Sequence, residues 1–337
     1  MSETEAQIES GSEMKVGVYR MHEPGGPEVM LWEFEDLPDP TGEMVRIKHT
    51  AIGLNYIDTY HRSGLYALPL PTKLGVEAAG VVEAVGENVN TLQEGDHVAY
   101  AGGLGAYAEA SLIPASRLLK IPQGINDDVA AACLLKGLTA CYLLTRTYPV
   151  TDNDTILMHA AAGGVGLILC QWARHIGAEV IGTVGNAEKA ALAAANGADH
   201  TIAYREEDVV ARVKEITGGK GVNVAYDAVG KDTFNATLDS LAPLGMFVSF
   251  GNSSGNVPAI EPHELQNRGS LFFTRPSLAH YTADPKNLQG MADQLFGLIV
   301  DGIIEIHINQ RYPLSDLVRA HRDLESRATT GSTVILP

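Results

Sequence analysis

The sequence predicts an α/β chain built as a β-rich domain followed by a doubly wound parallel sheet, with a closing segment that returns to the first domain. Three observations predict it. Short apolar runs broken by turn residues fill the chain to about position 122, strand and helix signals alternate from 154 to 250, and a glycine cluster, "MHAAAGGVGL" at 158–167, joins a strand to a helix. At 337 residues the chain exceeds one ordinary domain and can bury a sizeable core.

The first segment, "MSETEAQIESGSE", has glutamates and no basic residue, which fits neither a secretory signal nor a transit peptide; residues 1–13 are expected to be a disordered acidic tail. Strands then follow at "KVGVYR", "MVRIKHTAIGL", "GVEAAGVVEAVG", "GDHVAYAG" and "AYAEASLI". From about Asp128 the texture turns helical with "DVAAACLLKGLTACYLLTRTY". The run from "TILMHAA" to "GMFVSF" alternates strands with crossover helices, and its apolar strands predict burial on both faces. After about Arg275 come an amphipathic segment, a helix "LSDLVRAHRDLES" and a last strand "STVILP", placed to rejoin the β domain.

The formal net charge of -17 disfavours nucleic acid and anionic membrane surfaces as partners, so any anionic ligand needs a local cationic cluster. No run of about 18 apolar residues predicts a membrane span. Cys133, Cys141 and Cys170 sit in apolar surroundings without metal-ligand spacing, which predicts core thiols in a reducing compartment and a cytoplasmic location.

Within the glycine cluster, Ala161, Gly163 and Gly166 match the Gly-x-Gly-x-x-Gly pattern with alanine first. In a strand–turn–helix context, Ala162, Gly163, Gly164, Val165 and Gly166 offer backbone amides to a pyrophosphate, and Gly166 permits close helix–strand packing. Without the surrounding alternation the pattern would mean only a tight turn. Ile168, Trp172 and Ile176 are spaced to face the sheet. An NAD site calls for an acid after the second strand; here "GTVGNAEK" has Gly185 and Asn186 there, with the cation Lys189 close behind and Tyr204 after the third strand. That favours NADPH over NADH, although Lys189 and Tyr204 also suit a solvated helix residue and a packing residue.

Several motifs in order, "GGPEVM" at 25–30, "GLNYIDTYHRSGLY" at 53–66, "LGVEAAGVVEAVG" at 74–86, "AAGGVGLI" at 161–168, "FGNSSG" at 250–255 and "ESRATTGS" at 325–332, make the chain resemble the zinc-independent, zeta-crystallin-like quinone oxidoreductases of the medium-chain dehydrogenase/reductase superfamily. The closest likeness is to the bacterial NADPH:quinone reductases. The resemblance implies a GroES-like catalytic domain over 14–134, rejoined by 275–337, a Rossmann NADPH-binding domain over 135–274, and a homodimer. Where zinc-dependent relatives carry a cysteine this chain has Asn55, and where they carry Gly-His-Glu it has Gly75-Val76-Glu77. Neither an asparagine amide nor valine replaces such ligands, so no metal is expected.

The same resemblance implies a cleft lined by Asn55, Tyr60 and Tyr66, with Asn55 and Tyr60 as donors to a quinone oxygen, and Asn55 and Tyr66 also beside the nicotinamide. It places Thr139, the loop Phe250, Gly251 and Ser253, and Phe273 by its backbone near the nicotinamide end, and Arg327 at the 2′-phosphate with Lys189. Tyrosines in a loop-rich segment can equally be packing residues, and Thr139 can bond back to its own helix turn. His61, His97, His159 and Asp227 are read as structural. The implied activity is metal-free NADPH-dependent quinone reduction, as hydride or as single electrons. Alternatives are reduction of α,β-unsaturated carbonyls, or a non-catalytic NADPH-binding crystallin or RNA-binding protein.

Overall fold

The computed structural model describes residues 14–337, and the acidic segment 1–13 lies outside the described residues. The apolar strands of the alternating region form one six-stranded sheet in the order His200–Ala203, Glu179–Val184, Thr155–Met158, Val222–Asp227, Leu241–Ser249, Phe272–Thr274. Every neighbouring pair is parallel. Ile156, Leu157, Val180, Ile181, Val224 and Ala225 are fully buried, which explains why these strands read as continuous apolar runs rather than alternating ones. The strand order reverses beside Thr155–Met158, the position at whose carboxyl ends open parallel sheets bind ligands.

The β-rich lobe holds a seven-stranded sheet ordered Ile308–Pro313, Ser332–Leu336, Met44–Leu54, Glu77–Val85, His97–Ala101, Leu119–Lys120, with Ala110–Pro114 also paired to Met44–Leu54. The last strand of the chain runs antiparallel to Met44–Leu54, with Val334 opposite Gly53. A three-stranded sheet of Leu31–Leu37, Met14–Met21 and Thr72–Lys73 lies beside it.

The helix Asp127–Tyr142, continued by a π turn at Leu143–Thr147, joins the two lobes. Its Ala131, Leu134 and Leu138 share one apolar cluster with Ala51, Ala79 and Ala99 of the β lobe and with Ile156, Met158 and Val224 of the parallel sheet. The helix Pro285–Val300 adds Leu288, Met291, Leu295 and Phe296 to that cluster. By length and composition Asp127–Thr147 is apolar enough to cross a bilayer, but 78% of its most apolar window is buried inside the protein, as expected of a core helix.

One element differs from the sequence reading. The stretch around Tyr60, read as loop-rich, contains the helix Tyr56–Ser63, which also carries His61. Asn55 stands at its N-cap, where its backbone N–H donates to Asp58 Oδ2 at 2.9 Å, and Gly64 closes it.

Candidate active site

The glycine turn begins at Ala160, held in the left-handed region at φ 56, whose carbonyl accepts from Gly163 N at 2.9 Å. The helix Gly164–Ile176 follows. Its first i→i−4 bond is Leu167 N to Gly163 O, so the amides of Gly164, Val165 and Gly166 have no partner inside the helix and concentrate its positive end. A Cβ on Gly166 would stand 2.5 Å from Ala160 O, so only glycine lets the helix pack this close to the strand. Ile168 and Trp172 are buried and Ile176 half-buried against the sheet. The turn suits a pyrophosphate.

Past this turn lies a polar groove of about 780 Å³ whose lining includes Gly185, Asn186, Lys189, Tyr204 and Arg327. Residues far apart in sequence thus meet as the 2′-phosphate reading expects. Asn186 caps the next helix by accepting from Lys189 N at 2.9 Å, and Lys189 Nζ donates to Arg327 O at 2.8 Å. Sequence reasoning passed over Arg205, a further cation in the groove, although it directly follows Tyr204. Glu188 also lines the groove, so its cations outnumber its carboxylates. Gly331 N donates to Ala162 O at 3.0 Å, which joins the groove's Thr330 to the glycine turn.

Elsewhere Tyr60 and Tyr66 of the β lobe meet Asn252 and Arg275 of the parallel-sheet lobe. Tyr60 is buried, and its Oη accepts from Asn252 N at 2.8 Å, leaving its own proton to donate. Burial pushes the Tyr60 phenol well above its usual value, so it stays protonated. Tyr66 packs edge-on to Tyr60 at 5.3 Å, and its Oη accepts from Arg275 Nη2 at 2.8 Å. Arg275 also donates to Ser249 Oγ at 3.0 Å and Gly251 O at 2.9 Å, so it fastens the Phe250–Ser253 loop to the β lobe. That loop hangs from Asp227 O, which accepts from Phe250 N and Gly251 N at 2.8 and 3.3 Å, while Ser253 N donates to Ala228 O at 3.2 Å. Arg275 was missed; its signal is a lone arginine just after the last strand of the parallel sheet, at the end where such sheets bind ligands.

Asn55 departs from the expectation that it is a donor. Its Nδ2 donates inward to Glu77 Oε2 at 2.8 Å and to Gly53 O at 3.3 Å. Both amide protons are spent, and what remains is Oδ1, an acceptor that faces Asp58 N in the capping box and keeps a lone pair for a ligand. Thr139 Oγ1 donates to Leu135 O at 2.8 Å, the back-bond foreseen as its alternative, so it too can only accept from a ligand. The Phe273 ring packs edge-on to Phe247 at 5.1 Å and is half-buried on the edge strand. His159 and Asp227 are structural: His159 lies between Thr183 and Thr237 at 3.0 Å each, and Asp227 accepts from Val229 N, Gly230 N and Thr233 Oγ1. His97 is exposed and pairs with Asp127.

At the zinc-ligand positions the donors do not suit a metal. Val76 is a buried hydrocarbon, Asn55 turns its nitrogen to Glu77, and among the described residues no three His, Cys, Asp or Glu side chains gather as a candidate ligand set. Cys133, Cys141 and Cys170 are buried, and burial pushes their thiols up.

Residues 41–123 match the "Alcohol dehydrogenase GroES-like domain" family model and residues 164–295 the "Zinc-binding dehydrogenase" model. The chain is 53% identical to a quinone oxidoreductase of Pseudomonas aeruginosa over 93% of this chain and 97% of that one. It is 44% identical to a 2-haloacrylate reductase of a Burkholderia species over 94% and 98% of the two chains. The crystal structure of the Escherichia coli quinone oxidoreductase complexed with NADPH superimposes with a TM-score of 0.93 at 49% identity, covering 95% of this chain and 100% of that chain. With its β-rich lobe, its six-stranded parallel sheet and its glycine turn, the chain belongs to the quinone oxidoreductase family of the medium-chain dehydrogenase/reductases.

Proposed function

We propose that the protein uses NADPH to reduce quinones without a metal ion. The observation that carries this is the cationic groove of Lys189, Arg205 and Arg327, joined through the glycine turn to a cleft of hydroxyl and guanidinium donors. NADPH, when bound, supplies the hydride. The amides of Gly164, Val165 and Gly166 hold its pyrophosphate, and the groove cations hold its 2′-phosphate. Asn55 and Thr139 accept from its nicotinamide end, and the Phe250–Ser253 loop and the Phe273 backbone close that end. Tyr60 Oη donates a hydrogen bond to the acceptor oxygen, and Arg275 with Tyr66 sets positive potential beside it. These donors suit any oxygen that gains charge, so they do not distinguish a quinone from an enone. The 2-haloacrylate reductase at 44% identity favours an activated alkene as the second reading.

The division that goes with this function is a catalytic lobe of 14–134 and 275–337 and a nucleotide lobe of 135–274, supported by the pairing of Ser332–Leu336 with Met44–Leu54. A homodimer through the nucleotide lobes is supported by exposed Phe272 on the sheet's edge strand and exposed Leu244 on its neighbour. Three free, buried cysteines suit a cytoplasmic location. The deciding experiment follows NADPH absorbance against quinones, enones and alcohols, with NADH in parallel. Turnover of enones alone would transfer the assignment to the second reading, and equal use of NADH would remove the role of the groove cations.

A further inference from the structure

We propose that Glu77, braced by Lys136, fixes the polarity of Asn55, so that the cleft meets an acceptor at that position; the inference rests on the proposed NADPH site. Glu77 is fully buried. Its Oε1 accepts from Leu135 N at 2.6 Å, and its Oε2 from Asn55 Nδ2 at 2.8 Å and Lys136 Nζ at 3.4 Å. An ionised carboxylate only accepts, so the amide atom facing it must be nitrogen. A neutral amide at 77 would keep its oxygen on Leu135 N–H and turn its nitrogen toward residue 55, so the Asn55 amide would no longer be held with its own nitrogen inward.

The surroundings are built for this contact. A Cβ on Gly53 would lie 2.3 Å from Glu77 Oε2 and 2.2 Å from Ala131 O, so the strand approaches the carboxylate only because residue 53 has no side chain. Lys136, its side chain 8% exposed, runs its stem along the glycine turn, where a Cβ on Gly164 would stand 2.7 Å from its Cδ. The pair therefore lies between the pyrophosphate turn and Asn55, and touches both. Glu77 is a positioning residue: it acts on the ligand through the Asn55 amide, whose Oδ1 is left to accept a ligand N–H or O–H.

Reversing the pair tests this. Asn55→Asp sets two carboxylates face to face, and one must take up a proton at a cost; we expect a lower Tm and NADPH binding, by fluorescence titration, weakened about tenfold or more. Adding Glu77→Gln supplies a nitrogen donor from the other side and keeps an outward acceptor at 55. The double variant is expected to regain NADPH affinity to within about threefold of wild type, together with most of the Tm. In a separate cycle, Glu77→Gln weakens NADPH binding in the native background and has no further effect when Asn55→Ala is present. A double variant no better than Asn55→Asp, or an equal cost of Glu77→Gln in both backgrounds, overturns the inference, and the second cycle stands even if Asn55→Asp does not fold. Unchanged NADPH binding in Asn55→Ala would instead overturn the assignment of the site.

Discussion

Arg62 grips Glu325 through two nitrogens, Nη2 to Oε1 at 2.6 Å and Nη1 to Oε2 at 3.0 Å. Arg62 lies on the helix that carries Tyr60, and Glu325 ends the helix just before Arg327. Tyr56 Oη donates to Leu324 O at 3.0 Å as a second tie. The catalytic helix and the phosphate groove are thus fastened to each other.

Cutting the first tie should therefore disturb both ends. The Arg62 side chain is 3% exposed and that of Glu325 37%, so losing the cation strands a carboxylate that water can still reach. Arg62→Met is expected to cost about 1–3 kcal/mol, less than breaking a fully buried pair. In steady-state kinetics kcat should fall and the KM for NADPH rise together. A lower Tm with both constants unchanged would reduce the tie to a structural one.

Arg327 closes its helix at φ 60, with its amide donating to Leu324 O at 3.1 Å, in a position that usually holds glycine. A side chain kept there against a backbone cost of about 1 kcal/mol points to a use for the guanidinium. Arg327→Gly should keep or raise the Tm while the ratio of kcat/KM for NADPH over NADH drops about tenfold or more, the loss of one charge-assisted contact. An unchanged ratio would leave the groove's selectivity to Lys189 and Arg205.

The legible parts of the molecule were those set by local patterns. Strand–helix alternation announced the parallel sheet, and only inside that alternation did the ten residues of the glycine turn mean more than a tight turn. The helix Tyr56–Ser63 was legible too, through Asn55, Asp58 and Gly64 at cap spacing, but a β-rich context hid it. Arg275 offered only its place after the last strand as a signal and Glu77 none, because their roles come from partners brought in by the fold: Tyr66 from the other lobe for one, Asn55 from the neighbouring strand's end for the other. For the same reason sequence named Asn55 as a site residue but assigned it the wrong hydrogen-bonding sense.

Tyr60 tests the donor role directly. Its Oη already accepts from Asn252 N, so its proton is the part available to a ligand. Tyr60→Phe removes that proton and strips Asn252 N–H of its acceptor. At saturating NADPH, kcat with a quinone should fall about tenfold to a hundredfold, while the KM for NADPH changes little. A rise in KM at constant kcat would make Tyr60 a packing residue.

Behind the catalytic helix, Asp58 Oδ2 accepts from Tyr107 Oη at 2.7 Å, and that hydroxyl lies 3.1 Å from His321 Nε2. Asp58 Oδ1 is buried without a partner among the described residues. Burial raises the Asp58 carboxyl from 3.8 to about 7, and burial, aided by Arg62, lowers His321 from 6.5 to about 3. Between 3.8 and about 7 the folded protein holds the Asp58 proton more tightly than the unfolded chain does, so the Asp58 contribution to stability falls as pH rises through that window. His321 acts the other way, since the unfolded chain binds its proton more tightly: its contribution rises with pH from about 3 to 6.5. Asp58→Asn keeps an acceptor for Asn55 N and removes only the first slope. The Tm of the variant minus that of wild type should therefore climb from about pH 4 to about pH 7 and then level off. A difference that stays flat across this range would mean that the Asp58 carboxyl does not titrate there, and that the buried chain to His321 holds the helix without sensing pH.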